Sequence, residues 1–317
     1  MRRYCLVFLL AAVAAFPADP ALMKLVMPNA RFIAGINMAR VRQTPFGQWA
    51  LAQFSASEDE SFDQFVTASG FDPRKNLDEI IIAAPAAGEG RRLIVARGAF
   101  TPARILALAH SAGAEVSSIS GVDVISNGSA AAASPQSTPM AFSFLSDTVA
   151  LAGDPDSVRD AVARRASATG PARDIAAKVA AVSGGADAWF VSTVPVSELA
   201  QGLPGSNAGA ALKGEALKSI EQASGGVTFG RDVKFNGELI THTADDAASL
   251  SEVLRFLAGV VQLSQNRQGP GRAPLDALTL TAEGNIVRLV LSIPESQLES
   301  MLKQAGAGSA ATGINIH

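Results

Sequence analysis

Histidine is the residue type most often used for metal binding and acid–base catalysis, and the chain contains three histidines: His110, His242 and His317. They lie far apart, and no pair has the spacing of four residues that places two zinc ligands on one face of a helix. Isolated histidines more often have structural or surface roles. The sequence therefore predicts no metal site at these positions.

Serine chemistry is the second possibility. The string Ser300-Met301-Leu302-Lys303 matches the S-x-x-K pattern of serine β-lactamases and penicillin-binding proteins, in which the serine is the nucleophile. It lies in an amphipathic helical pattern, and neither the K-T-G nor the S-D-N motif of those enzymes accompanies it. The chain also lacks a G-x-S-x-G nucleophile elbow. We therefore predict a chance match, with a hydrolase of unrecognised site as an open alternative.

Carboxylates lie close together at Glu58, Asp59, Glu60 and Asp63. A calcium loop needs oxygen ligands at defined spacings with a turn-making glycine, and this stretch does not provide them. Acidic residues at the beginning of a helix interact favourably with its dipole. We predict this role for the cluster, at the beginning of a helix over Ser61–Ser69.

Nucleotide cofactors are usually held by glycine-rich loops. The chain has no Gly-Lys pair and no G-x-G-x-x-G motif, and Gly88-Glu89-Gly90 fits a hairpin turn between two strands. Together with the preceding patterns, this predicts no catalytic, metal-ligating or cofactor-binding residue and no cofactor.

The two tryptophans, Trp49 and Trp189, lie in strongly apolar segments. Large aromatic residues in such segments serve as core anchors, and stacking on a ligand is the alternative role. We predict that both belong to the core and that they occupy corresponding regions of two related modules.

The N-terminus has the order of a secretory signal peptide. Arg2 and Arg3 precede an apolar run from Tyr4 to Phe16, which is followed by small residues. This run is shorter than the ~20 residues that a membrane-spanning helix needs. We predict a signal peptide over residues 1–18, with cleavage after Ala15 or Ala18, of which Ala15 is favoured. The mature protein is then exported, periplasmic or extracellular, without a stable membrane anchor.

Cys5 is the single cysteine, and it lies at the beginning of the apolar run, whereas the lipid-bearing cysteine of a lipoprotein follows that run. The mature chain is therefore predicted to be thiol-free. Removing Arg2 and Arg3 from the 26 basic residues leaves 24 against 29 acidic ones, so that the net charge changes from −3 to −5. An acidic balance of this kind disfavours a nucleic-acid partner.

The order of elements suggests that the chain contains one module twice. Strand, helix and hairpin patterns recur in the same order, with the second copy slightly shorter. The matching segments are Ala30–Asn37 with Ala186–Thr193, Leu77–Pro85 with Gly225–Val233, Arg91–Ala112 with Lys234–Ala258, and Ala141–Arg165 with Ala277–Gln304. We predict an α+β fold with two tandem modules over residues 19–168 and 169–305, each an antiparallel or mixed sheet covered by helices, and a flexible tail over 306–317.

Four short segments of the first module carry a resemblance to a known group: Met27–Ala30, Arg40–Pro45, Gly70–Pro73 and Leu77–Glu79. In these segments the chain resembles uncharacterised exported bacterial proteins with duplicated α+β modules. The resemblance covers roughly Met27–Arg165 and implies a bacterial envelope setting. It supplies no catalytic residues.

These observations favour a non-catalytic extracytoplasmic binding or interaction protein, whose partner is an unknown protein or an apolar ligand. A periplasmic carrier of a lipid or other apolar ligand, held between a curved sheet and its helices, is the second hypothesis. The hydrolase with an unrecognised site is the third.

Overall fold

The computed structural model describes residues 17–56, 60–85, 91–126, 139–167, 169–195, 218–265 and 278–311 of the 317-residue chain. Several predicted features lie outside these residues: most of the signal peptide, His317, Glu58, Asp59, the Gly88–Gly90 turn and most of two segments rich in Gly, Pro, Ser and Ala, Gly128–Pro139 and Gln265–Pro274. No helix in the described ranges combines the length and apolar character needed to span a membrane.

Twelve strands in these ranges form one sheet in which every neighbouring pair is antiparallel. They are β1 (Phe32–Asn37), β2 (Leu77–Ala84), β3 (Leu93–Gly98), β4 (Glu115–Ile119), β5 (Val122–Ser126), β6 (Ala141–Ser146), β7 (Val149–Gly153), β8 (Ala188–Ser192), β9 (Ile220–Thr228), β10 (Asp232–Thr241), β11 (Leu278–Glu283) and β12 (Ile286–Pro294).

Helices connect the strands. In the described ranges they are α1 (Pro20–Met23), α2 (Met38–Val41), α3 (Pro45–Ala56), α4 (Glu60–Ser69), α5 (Pro73–Asn76), α6 (Pro102–Ser111), α7 (Pro155–Arg164), α8 (Arg173–Ser183), α9 (Ala244–Gln265) and α10 (Glu295–Ala311). The predicted α+β class is confirmed.

Helix beginnings follow local sequence signals. Asp72 and Asp154 each precede a proline and accept a hydrogen bond from a backbone N–H in the first turn of α5 and α7. Such a side chain satisfies an amide that has no partner within the helix, and proline is tolerated at the first helical position. These two aspartates therefore cap the helices that follow them.

The strand order is β11-β12-β10-β9-β8-β1-β2-β3-β7-β6-β5-β4. The first half of the chain thus contributes the order β1-β2-β3-β7-β6 followed by the additional hairpin β5-β4, and the second half contributes the order β8-β9-β10-β12-β11, with β1 and β8 paired at the junction. The sheet is continuous across both halves instead of closing within each one. At the junction Trp189 packs on Gly35, where a Cβ atom would lie only 2.4 Å from the indole ring.

The main hydrophobic core lies on one face of the sheet, which we call the core face. Ile33, Ile81 and Val191 point to this face, where α1, α7 and α8 cover them through residues such as Leu22 and Val158. A smaller core lies on the opposite face, which we call the row face. It packs α9 on β10, β11 and β12, and its buried members are Ile220, Ala247, Leu250 and Val287.

Three details differ from the predictions. The predicted strand Gly225–Val233 is wrong because residues 229–231 turn between β9 and β10. The β4–β5 hairpin was not predicted, and it turns at Ser120 and Gly121, both with positive φ. Finally, α10 extends to Ala311, into the predicted tail. A helix already formed is extended at little cost, because propagation is easier than nucleation.

Candidate functional site

The strand register places an unbroken line of apolar residues and glycines across the row face, which we call the apolar row. Each member is the register partner of the next, from β11 at one edge of the sheet to β4 at the other. The members are Leu280, Leu289, Gly237, Gly225, Phe190, Ala34, Ile82, Ile94, Ala152, Phe142, Ile125 and Val116.

A second line beside it is also apolar throughout. Its members are Leu278, Leu291, Phe235, Val227, Ala188, Ile36, Ile80, Ala96, Ala150 and Phe144. Because side chains alternate between the two faces of a strand, both lines point to the row face. Ten strands therefore present two adjacent apolar lines with no charged side chain.

The apolar row is packed or buried towards both ends of the sheet but partly exposed in the middle. At one end Leu280 packs against the small core under α9, and at the other Ile125 is fully buried. In the middle, Phe190 and Ile82 each remain 37% exposed. Contiguous exposed apolar surface on a protein often marks a binding site. The central strands of the sheet are therefore the candidate site.

A pit lies within the apolar row where β9 pairs with β10. Its floor consists of Gly225 and Gly237, which are register partners, and Phe190 and Leu289 stand on either side of them. The pit has a volume of about 310 Å³. This volume is at the lower end of the range of small-molecule sites.

The side chains around the pit are apolar, with Phe235, Leu239 and Val227 completing the rim. Ser224 and Asn236 also line the pit, but strand alternation directs their side chains to the core face. The pit therefore presents no charged side chain and no polar side chain with which to orient a polar ligand.

The core face of the same strands has the opposite character. A groove of about 560 Å³ contains Lys178, Glu238 and Arg288. Lys178 Nζ lies 2.5 Å from Glu238 Oε1, and Arg288 Nε lies 3.4 Å from Glu238 Oε2. The hydrogen bond from Lys178 is the main cause that lowers the pKa of Glu238 below its ordinary value. Because both cations are already paired with carboxylates, we do not assign this groove as the binding site.

An ion pair between a buried carboxylate and a partly exposed guanidinium joins the two halves beside the candidate site. Asp187, which precedes β8, is 3% exposed, and its Oδ1 lies 2.9 Å from Arg40 Nε near the end of α2. Asp187 Oδ2 also accepts a hydrogen bond of 2.7 Å from the N–H of Phe229. The Phe229 ring packs on Phe46 of α3 with 5.1 Å between the ring centroids. These contacts hold β8 and β9 at a fixed position against the first half.

The histidines are dispersed in the structure as in the sequence. His110 lies in the last turn of α6, and His242 follows β10, where its Nε2 is 3.5 Å from Glu221 Oε1. Within the described ranges, no group of three or more histidine, cysteine or acidic residues is placed to hold a metal ion.

The S-x-x-K pair does not form the contact that serine activation requires. Ser300 Oγ donates a hydrogen bond to the backbone oxygen of Ser296, and Lys303 Nζ lies 3.4 Å from Glu299 Oε2. Lys303 also lies over the ring of Trp49, 5.5 Å from its centroid. A catalytic serine is activated by a base within hydrogen-bond distance, and here both side chains have other partners. The structure therefore gives no support for Ser300 as a nucleophile activated by Lys303.

The tryptophans occupy different kinds of element, so their predicted correspondence is wrong. Trp189 is 6% exposed on β8 and belongs to the main core, as predicted. Trp49 is half-buried on α3. Of the predicted acidic cluster, Glu60 is the first residue of α4 and Asp63 lies in its first turn.

Comparison of the chain with protein-family models, with curated proteins and with solved structures gives no match. Any assignment of function therefore depends on the geometry described above.

Sequence reasoning alone did not identify the candidate site. One signal was present: the strands on both sides of the junction, β1 and β8, are almost continuously apolar, which is typical of strands with apolar side chains on both faces, and Gly225 and Gly237 lie within the nearby strands β9 and β10. A glycine within a strand often marks close approach of a ligand or another backbone.

Proposed function

We propose that this chain is a non-catalytic extracytoplasmic binding protein, and that it binds an apolar ligand or partner on the row face at the junction of its two halves. The observation that carries the proposal is the apolar row, whose central members Phe190 and Ile82 remain exposed. Burying such surface is favourable by about 25 cal/mol per Å², whereas no polar chemistry is available there.

The proposal includes a tandem duplication. Its support is the shared strand order of the two halves, in which β1-β2-β3-β7-β6 corresponds to β8-β9-β10-β12-β11. A helix also follows the third strand in both halves, α6 between β3 and β4 in the first and α9 between β10 and β11 in the second. The binding surface would then lie on the pseudo-twofold axis between the copies, where the helices of neither copy fully cover the row face of the sheet.

Export and processing are part of the same proposal. We propose cleavage after Ala15, which keeps Ala18 in the mature chain. Ala18 is 9% exposed, and its N–H donates a buried hydrogen bond of 2.9 Å to Ser183 Oγ on α8. Cleavage after Ala18 would remove this contact. N-terminal sequencing of the exported protein tests the choice: Phe16 as first residue agrees with it, and Asp19 contradicts it.

Site-specific photo-crosslinking tests the binding surface in the native envelope. A photoreactive phenylalanine analogue replaces Ile82 or Phe190, and for comparison Phe65, which is 41% exposed on α4. We expect adducts from positions 82 and 190 but not from position 65. Equal adduct patterns at all three positions, or none, would contradict the proposal. The mass of each adduct also shows whether it is a protein or a small molecule.

A further inference from the structure

The pit between Phe190 and Leu289 identifies a chemical class of ligand for the proposed binding site. We infer that it holds the end of an unbranched hydrocarbon chain, the acyl chain of a lipid or a fatty acid. This inference rests on the proposed function and narrows the bound material to one class.

The lining of the pit is the first reason. The side chains that point into it are apolar, and its floor is glycine backbone whose amides and carbonyls are used in the β-ladder. A ligand with polar groups at this depth would lose hydrogen bonds to water and gain none in return. A hydrocarbon chain makes no hydrogen bonds to water and therefore loses none on entering the pit.

The width of the pit is the second reason. Phe190 and Leu289 lie on strands that are three strand spacings apart, about 14 Å. Both side chains lean inward, since a Cβ atom at Gly225 would lie 3.2 Å from Phe190 Cε1 and one at Gly237 would lie 2.8 Å from Leu289 Cγ. An α-helix with its side chains is about 10–12 Å wide and does not fit between them.

An added β-strand does not fit either. A strand can join a sheet only at an edge with free backbone groups. At the pit, β9 is paired on both sides with β8 and β10, and β10 with β9 and β12. The pit can therefore be filled from above by a narrow apolar group but not by extension of the sheet.

The apolar row continues beyond the pit and supplies a surface for the rest of the chain. Next to Phe190 the row has the small side chain of Ala34, followed by the exposed Ile82. A hydrocarbon that enters the pit can thus cross the junction over Ala34 without leaving apolar surface.

Titration with a dansyl-labelled undecanoic acid, followed by its fluorescence, tests the inference on the purified full-length mature protein. Gly237→Val fills the pit, and the three atoms nearest to its Cβ all belong to the Leu289 side chain, which can move aside. Phe190→Asp places a charge on the rim at a position that is already 37% exposed. Phe65→Asp is the matched control, since Phe65 is similarly exposed on α4. Thermal melts establish that each variant is folded.

We expect both pit variants to weaken probe binding by roughly tenfold or more, the effect of losing a few buried methylenes, while Phe65→Asp leaves it unchanged. Competition with palmitic acid and with dipalmitoyl phosphatidylglycerol then distinguishes the two sources of the chain. Displacement by either or both agrees with the inference. Lack of probe binding, or equal binding by the wild type and both pit variants, overturns it. A protein adduct at position 82 together with no probe binding would retain the proposed function and refute the hydrocarbon ligand.

Discussion

The sheet is covered on opposite faces towards its two ends. From β5 to β8 in the strand order, α1, α7 and α8 bury the core face in one large apolar cluster, which includes Trp189 and Val191 at the beginning of the second half. From β9 to β11 in the strand order, α9 buries a smaller cluster on the row face, and the core face carries the Lys178–Glu238–Arg288 ion pairs. The strands between these regions are therefore incompletely covered, and the pit lies among them. Its position follows from the change of covered face rather than from any local motif.

Two carboxylates on the core face show the same contrast. Glu79 on β2 lies in the first half, where desolvation by burial is the main cause that raises its pKa. Glu238 on β10 lies in the second half, where the hydrogen bond from Lys178 lowers its pKa. Burial is thus the dominant influence on the pKa of Glu79, whereas the hydrogen bond from a lysine is dominant for Glu238.

The main core is larger than the small core, and truncating one leucine in each tests whether this difference matters for stability. We expect these variants to show the largest loss of unfolding free energy. Leu93 in the main core and Leu250 in the small core are both fully buried. Leucine-to-alanine changes at such sites cost about 2–5 kcal/mol, and less where the surroundings can collapse into the cavity. We expect Leu93→Ala to lower the free energy of unfolding more than Leu250→Ala, measured by urea denaturation. The reverse order would show that the small core is the better packed one.

Removal of the Arg40–Asp187 ion pair at the junction should cause the next largest loss of unfolding free energy. Asp187→Ala leaves Arg40 and the Phe229 N–H without their carboxylate, and an unsatisfied buried group costs about 1–3 kcal/mol. Asp156→Ala, which removes an exposed pair with Arg159, is the control and should cost less than about 1 kcal/mol. Equal losses of unfolding free energy in the two variants would mean that Asp187 does not join the halves.

Glu79 should make the protein less stable as the pH rises. Because its pKa is raised in the folded state, its favourable contribution is complete below the ordinary value of 4.5 and is lost as the pH increases through the folded pKa. We expect Glu79→Gln, which can still accept the Asp19 N–H, to gain stability relative to the wild type at pH 7 and to lose this advantage at pH 4. Melting temperatures across this pH range measure it, and a constant difference would disprove the assignment.

Glu238 should have the opposite pH dependence and the smallest effect. Its pKa is lowered in the folded state, so its contribution is present above 4.5 and disappears as the pH falls through the folded pKa. The pair with Lys178 is partly exposed, and such pairs contribute about 0.2–1 kcal/mol. We expect Glu238→Gln to be slightly less stable than the wild type at pH 7 and equal to it at low pH. Stabilisation at pH 7 would mean that desolvation outweighs the ion pairs.

Local elements were predictable where the signal lies within a few residues. The β6–β7 and β11–β12 hairpins turn at residues 147–148 and 284–285, and α7 begins at Pro155 directly after the capping residue Asp154, as turn and capping residues in the sequence indicate. The strand over Gly225–Val233 was misplaced because its glycines lie within β9, whereas the turn follows at 229–231. Because glycine has a low strand propensity, the sequence pattern places the glycines within β9 at the beginning of a strand rather than in its interior.

The candidate site was less predictable than the elements that form it. Phe190 and Gly225 become neighbours only through β8–β9 pairing, and Phe190 meets Ala34 only because β1 and β8 pair across the junction. A shift of register by one residue would direct every member of a strand to the other face. Short-range patterns carry no information about such pairings between distant segments.

The sequence by itself determined the absence of recognisable catalytic motifs, the α+β class and most helix and hairpin positions, since these depend on side-chain chemistry and on spacings within single elements. The tertiary structure decided that the halves share one sheet, that the main core and the small core lie on opposite faces of this sheet, and that an apolar row with a glycine-floored pit lies where the covered face changes. The physical reason is that burial and register are set by contacts between segments far apart in the chain.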